Sequence, residues 1–298
     1  MKISVFVPSH ITGFFSIYDN LDPLKKGSCG GGILIDKGVT TTVKLSNKEN
    51  TVDIKINNKN DPKNETISLK TIELLKKQFN FEDGLKIEQK IEVPTGSGFG
   101  TSAASALGIA IAISKILNLP LSKKQAEQIA HKAEIAMSSG LGDVIAETSK
   151  GIVIRKIPGA PGIGKTDSIP LKIAEIDFCH ENLDLYVITK TLGELETSKI
   201  IQDPLHKENI NKIGIAMQKK IIANPTISNF MDCSYNFAKK TELMNKEVEN
   251  IVEELKSNTL GSSMAMLGNT AFALSTEPDC DLDNVLISKV DVNGIKIK

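Results

Sequence analysis

Pro94-Thr95-Gly96-Ser97-Gly98-Phe99-Gly100-Thr101-Ser102-Ala103-Ala104-Ser105 is the stretch on which the fold turns. Three glycines alternate, two hydroxyl residues follow, and small and apolar residues then run on to Leu117. Upstream, Leu85, Ile87, Ile91 and Val93 share one parity, the period of a half-buried strand. Downstream, the near absence of breakers in an apolar run predicts a buried helix. The order is therefore strand, glycine loop, helix start. Glycine reaches positive φ without a steric penalty and lets a ligand approach the backbone. The first turn of a helix presents unpaired N–H groups and the positive end of its dipole. Together they suit a phosphate chain. No Gly-Lys-Ser/Thr follows, and the glycine spacing is not that of a dinucleotide fold. On the glycines alone, a tight loop packing a strand on a helix would read the same way.

The totals narrow the class. A chain of 298 residues holds one large domain or two smaller ones. The formal charge is zero and aromatic residues make up 4%, so no nucleic-acid or membrane footprint is visible. No apolar run approaches the length of a membrane span, and the N-terminus is too short in apolar residues for a signal peptide. Cys29, Cys179, Cys233 and Cys280 lack paired spacing, which predicts reduced thiols and a cytoplasmic setting. Of 36 basic residues only Arg155 is an arginine.

Moving outward from the loop, Ile3–Val7 reads as a first strand ended by Pro8-Ser9-His10. The segment from Asp22 to Gly32, with Ser28 and the run Gly30-Gly31-Gly32, reads as a second glycine-rich loop. It suits either a surface turn or an anion-binding loop. The strands that follow it to Ile56 are expected as a β-meander. Thr66–Phe79 has helical periodicity. Ser122-Lys123-Lys124-Gln125 is a capping box opening a helix to about Met137. On it, Glu127, His131 and Glu134 share a stripe that would be solvated or would reach into a cleft. Gly140 and Gly142 then break the chain before Asp143, a residue type that also serves as a plain N-cap. Gly151–Ile157 reads as a strand carrying Arg155. Further strands are expected near Leu171–Phe178 and Leu183–Thr189, with a domain switch between them. Helices are expected from Thr197 to Lys256, broken near Pro204 and Pro225. Gly261–Thr270 reads as a β-turn or a third glycine-rich motif in which Met264 and Met266 stand for glycines.

Pro-x-Gly-x-Gly-x-Gly-Thr-Ser-Ala-Ala from Pro94 to Ala104, Glu134 followed by Ser139-Gly140-Leu141-Gly142-Asp143, and Gly261–Thr270 resemble, in order, the three motifs of the GHMP kinases. This superfamily holds galactose, homoserine, mevalonate and phosphomevalonate kinases. The resemblance covers essentially the whole chain. It implies an α+β, two-domain GHMP kinase fold. An N-terminal domain of the ribosomal protein S5 domain 2-like type would span 1–178 and a ferredoxin-like C-terminal domain 179–298. It implies ATP and Mg2+ as cofactors. The backbone of Pro94, Gly96, Ser97, Gly98, Gly100, Thr101 and Ser102 would hold ATP, Ser102 and Glu134 would hold Mg2+, and Asp143 would be the catalytic base. Where many relatives have Pro-x-Lys or Pro-x-Arg, this chain has Pro8-Ser9-His10, so a mevalonate-type lysine partner for Asp143 is missing. Val7–Phe15 together with Asp22–Ser28 is similar to the archaeal pantoate kinases of coenzyme A synthesis, which phosphorylate a primary hydroxyl of pantoate.

That acid carries one carboxylate, and a guanidinium grips a carboxylate bidentately as lysine cannot. The lone arginine, Arg155, is the expected clamp, with Ser28 and His131 completing the acceptor pocket. The resemblance leaves room for another small hydroxy acid, of mevalonate or homoserine type, and for a nucleotide-binding regulator without turnover. No nucleic acid or membrane partner is expected, and a homodimer is the default oligomer.

Overall fold

The computed structural model describes residues 2–171, 184–193 and 204–298. The strand expected beyond Leu171, the boundary expected at 178/179 and Cys179 lie outside the described residues. A seven-stranded sheet holds β1 (Lys2–Tyr18), β2 (Gly27–Ser46), β3 (Val52–Ile56), β4 (Gly84–Ile91), β5 (Ile152–Ile157), β6 (Lys165–Ile169) and a short β11 (Lys296–Ile297). Its path is β11-β1-β2-β4-β3, with β5 also pairing β2 and β6 pairing β5. Because β4 inserts between β2 and β3, and β3 runs parallel to it, the expected meander is not formed. The 14-residue helix α1 (Thr66–Phe79) supplies the crossover that a parallel pair requires.

Two expectations near the N-terminus are corrected. The first strand does not stop at Pro8 but runs to Tyr18, with register shifts at Pro8/Ser9 and Thr12/Phe14. Proline lacks the N–H a ladder needs, and a bulge accommodates it. The run Gly30-Gly31-Gly32 is not a loop either but lies inside β2, paired to both β1 and β5. The absent side chains make room there: a Cβ on Gly31 would lie 2.8 Å from the Phe14 ring, and one on Gly32 would lie 2.1 Å from His10 Nε2.

Against this sheet packs α2 (Thr101–Ile116), and α1 and α3 (Lys123–Met137) pack against α2 and each other. The helix α2 is buried along nearly its whole length, as its unbroken apolar run requires. Gly108 brings it close to β2, since a Cβ there would lie 2.3 Å from Thr41 Oγ1. Both halves of the Ser122 capping box are formed, a device worth about 1 kcal/mol. The short α4 (Asp143–Glu147) leads into β5.

A second, antiparallel sheet has the order β10-β7-β9-β8, from β7 (Tyr186–Gly193), β8 (Gly261–Met264), β9 (Asn269–Ser275) and β10 (Leu286–Lys289). Between β7 and β8 come α5 (Pro204–Ala223), α6 (Ile227–Lys240) and α7 (Lys246–Lys256), broken at Pro225 as expected. The helices α5 and α6 pack on β1, where Phe14 meets Phe230 and Phe15 meets Phe237 at ring-centroid distances of 6.2 and 5.5 Å. One continuous hydrophobic core therefore reaches from the first sheet to the second. Among the described residues no helix is long and apolar enough to cross a membrane.

Candidate active site

The glycine loop takes the conformation its sequence demands. Gly96, Gly98 and Gly100 have φ of 66°, 90° and 66°, the left-handed region open to glycine. Gly100 is the N-cap of α2, and among the described residues no side chain caps that end. By contrast, Ser122, Thr226 and Asn245 each accept a backbone N–H at the starts of α3, α6 and α7. The first-turn N–H groups of α2 are thus left for a ligand, the arrangement that binds phosphate. The loop is braced from the second sheet: Thr270 Oγ1 donates a 2.9 Å bond to the carbonyl of Ser97, and a Cβ on Gly268 would lie 2.1 Å from that same oxygen. Ser97 itself faces inward and donates to the carbonyls of Thr95 and Gly193.

A cavity of about 280 Å³ opens beside the loop. Gly96, Gly98, Gly100, Thr101 and Ser102 line it together with Ser28, Asp143 and Arg155. Met266 and Leu267, from the turn after β8, close one end. A second cavity of about 210 Å³ shares Thr101 and Ser102 and is lined by the apolar side chains of Ile67, Ile91 and Met137.

The stripe of α3 is not solvated. Glu127, His131 and Glu134 are all buried. Glu134 Oε1 accepts a 2.6 Å bond from Ser139 Oγ, while Oε2 is buried with no partner among the described residues. Burial, chiefly, raises its pKa to about 7; nearby Asp143 adds to the rise, and the Ser139 hydrogen bond and the neighbouring Ser102 hydroxyl oppose it. Ser102 and Glu134, 32 positions apart in the chain, are thus side by side. After α3 the backbone turns through Ser138, at φ 53°, and Gly140 passes so close to Glu134 that a Cβ would lie 2.0 Å from Oε2. That turn delivers Asp143 to the start of α4.

Asp143 is not the N-cap of α4, a place held by Gly142, but its first helical residue. His10 Nδ1 donates a 2.8 Å bond to its Oδ1. Burial pushes its carboxyl upward, but the His10 hydrogen bond and the Arg155 guanidinium nearby outweigh this and hold it below the usual range. Burial, reinforced by the Arg155 charge, conversely holds His10 below its ordinary pKa despite the Asp143 bond. A neutral imidazole therefore faces an ionised carboxylate. Arg155 is buried on β5, opposite Gly30 of β2, with NH1 3.2 Å from His10 Nε2 and Nε unpartnered among the described residues. Ser28 Oγ and Arg155 Nε both crowd Gly142, where a Cβ would lie 2.2 and 2.8 Å from them. Four of the residues singled out in the sequence, Ser28, Ser102, Asp143 and Arg155, therefore meet in one cavity, and Glu134 backs it.

His131 does not line this cavity. Its Nε2 lies 3.1 and 3.0 Å from the carbonyls of Pro23 and Lys26, so it pins the turn that leads into Ser28. Two buried residues were missed. His10 stood in a sequence position where a lysine was sought, and its partnership is visible only in three dimensions. Glu147 has both oxygens buried without partners among the described residues, and Oε1 lies 2.5 Å from where a Gly100 Cβ would be. Burial, with Asp143 and Glu134 nearby, drives its pKa well above the ordinary carboxylate range.

A glycine-built phosphate loop at an uncapped helix, beside a half-buried carboxylate and a serine–glutamate pair, is the constellation of the GHMP kinases, and the family description "GHMP kinases N terminal domain" matches residues 66–151. The chain is 39% identical to a pantoate kinase of Methanocaldococcus jannaschii, over 91% of this chain and 92% of that one. It is 33% identical to a pantoate kinase of Thermococcus kodakarensis, over 98% and 94% of the two chains. A solved structure described as a phosphotransferase related to the CoA biosynthesis pathway superposes with a TM-score of 0.84 at 30% identity, covering 100% of this chain and 99% of that one. The chain belongs to the pantoate kinase family within the GHMP kinases.

Proposed function

We propose that the protein transfers the terminal phosphoryl group of ATP to the primary hydroxyl of pantoate, giving 4-phosphopantoate for coenzyme A synthesis. The observation that carries this reading is that Asp143 and Arg155 line the same cavity as the open N-terminus of α2, with Asp143 Cβ 3.5 Å from where a Cβ on the N-cap Gly100 would lie. The triphosphate lies along the backbone from Gly96 to Ser102, and the carboxylate of the acid meets Arg155 Nε and Ser28 Oγ. The hydroxyl then points at Asp143, which takes its proton as the oxygen bonds to the γ-phosphorus and the bond to the β–γ bridging oxygen breaks. Phosphoryl transfer asks mainly for such positioning and for charge stabilisation. The second cavity, which shares Thr101 and Ser102 and sets Ile67, Ile91 and Met137 among hydroxyl and amide side chains, suits the adenine.

Mg2+ fits the chemistry of Ser102 and Glu134. A buried carboxylate oxygen without a donor is what a hard cation would satisfy, and two protein oxygens suffice when phosphates and water supply the rest. When bound the ion would neutralise charge on the phosphates. A division into two domains near residue 178 and a cytoplasmic setting belong to the same reading. Strands β1–β6 of the first sheet precede that point and β7 opens the second sheet after it, with only the short β11 returning to the first sheet, and Cys29, Cys233 and Cys280 are free thiols.

The test is ADP release from Mg-ATP with a panel of small hydroxy acids, with the product identified by mass. Pantoate-dependent release giving 4-phosphopantoate is expected. Faster turnover of mevalonate or homoserine, or nucleotide binding without any turnover, would overturn the reading.

A further inference from the structure

His10 is wholly buried, and its ring rests on a floor made for it. It projects from the short segment of β1 framed by the two register shifts, and Gly32 of β2 lies against it so closely that any Cβ would strike Nε2. Both ring nitrogens are engaged, Nδ1 with Asp143 Oδ1 and Nε2 with Arg155 NH1. A guanidinium can only donate, so Nε2 must be the acceptor. The hydrogen must then sit on Nδ1 and be donated to Asp143. One buried line results, running from the guanidinium through a neutral ring to a carboxylate. The second oxygen of that carboxylate, Oδ2, lies toward Gly140, which lines the cavity.

We propose that His10 is the positioning residue for Asp143: its Nδ1–H fixes Oδ1, turns Oδ2 toward the acceptor hydroxyl, and passes on the charge of Arg155. The chain thereby replaces a direct cation–carboxylate pair with a cation acting at one remove. The ring keeps its own proton throughout, and the hydroxyl proton goes to Asp143 Oδ2 as the new O–P bond forms. One NH1 hydrogen is committed to the ring, which leaves the other N–H groups of the guanidinium for the acid. One guanidinium therefore serves both the base and the substrate. Thr12 Oγ1, 3.4 Å from Nδ1, is a weaker second neighbour of the ring.

This inference rests on Asp143 being the base, and the experiment separates the two. His10→Ala should lower kcat by about 10²-fold, the scale of a misplaced catalytic group, while KM for ATP changes by less than about twofold. In the Asp143→Asn background the same change should cost little further. His10→Asn puts an amide N–H where Nδ1–H was and should recover kcat to within about tenfold of the parent. His10→Gln, whose amide reaches toward the Nε2 position, should not recover it. In the parent itself, 15N spectra of the ring should show the Nδ1–H tautomer, a readout that needs no variant to fold. An Nε2–H or doubly protonated ring, or equal kcat in the Asn and Gln variants, would overturn the proposal. If Asp143→Asn stays fully active, it is the base assignment that fails. If Asp143→Asn is inactive and His10→Ala is not impaired, only the role of His10 fails.

Discussion

Ser139 Oγ holds one oxygen of Glu134 at 2.6 Å and leaves the other, Oε2, buried and unpartnered among the described residues. The carboxyl is consequently raised, mainly by burial, from an ordinary 4.5 to about 7. Between those values the folded chain binds more protons than the unfolded one, so stability is fully present below the lower value and is lost as pH rises to the upper. The loss is about 3 kcal/mol, from 1.36 kcal/mol per unit. In metal-free protein, Glu134→Gln should remove this dependence. Thermal unfolding of the parent should fall by roughly 5 °C or more between about pH 5 and about pH 8 relative to the variant. Parallel curves for the two proteins would refute the assignment.

The same orphaned oxygen gives a second expectation. Ser102→Ala and Glu134→Ala should each raise the Mg2+ concentration for half-maximal rate and lower kcat, while Ser139→Ala should do so less. Mg2+ titrations that overlay the parent would place the metal elsewhere.

Asp143→Asn keeps the size of the side chain and an oxygen for the His10 donor but cannot take a proton. A kcat drop of roughly 10²-fold or more is expected, with ATP affinity retained. Near-parental turnover would move the base to another group.

Arg155→Lys keeps the charge and loses the planar fork that reaches both His10 and the cavity. Truncating one partner of a buried charge pair costs about 2–5 kcal/mol. KM for pantoate should therefore rise strongly, and KM for ATP should stay nearly unchanged. Pantoyl alcohol, with the carboxylate reduced, is the matched control. The variant should lower kcat for both compounds but raise KM only for the acid. An equal rise in KM for the alcohol would exclude Arg155 as the carboxylate clamp.

Glu147→Gln replaces a buried, protonated carboxyl with its isostere. Activity should stay within about twofold of the parent, and thermal stability at neutral pH should rise, because the unfolded state no longer gains by ionising. Gly100→Ala is the contrasting change. It combines a 2.5 Å clash on Glu147 with a φ of 66°, and ATP binding measured by calorimetry should be lost.

The phosphate loop, α1, the capped start of α3 and the helix break at Pro225 were legible because each depends on local chemistry that a short window contains. Ser28, Ser102, Asp143 and Arg155 were legible as residues, though not as neighbours. The glycines at 30–32 were misread because composition alone cannot tell a flexible loop from a strand stripped of side chains. What demands glycine there is the bulk of Phe14 and His10, which arrive from another strand. His10 was passed over because its partners lie 133 and 145 positions away. Sheet order failed for a similar reason. Local alternation identifies β3 and β4, but only the crossover through α1 decides that they run parallel.

The turn between β8 and β9 is fastened by parts common to every residue or by groups outside its tip. Met266 N–H donates to the Thr12 carbonyl, Gly268 presses on Ser97, and Thr270 donates to the same loop. The side chains of Met266 and Leu267 carry none of these fastenings and form part of the cavity wall. Met266 packs into the core and Leu267 holds a left-handed φ of 61°, so within a lineage these two positions can vary only as far as that packing and backbone allow while the phosphate loop stays braced. Within those bounds the shape of the cavity can change with the two side chains while the fastenings of the turn stay the same.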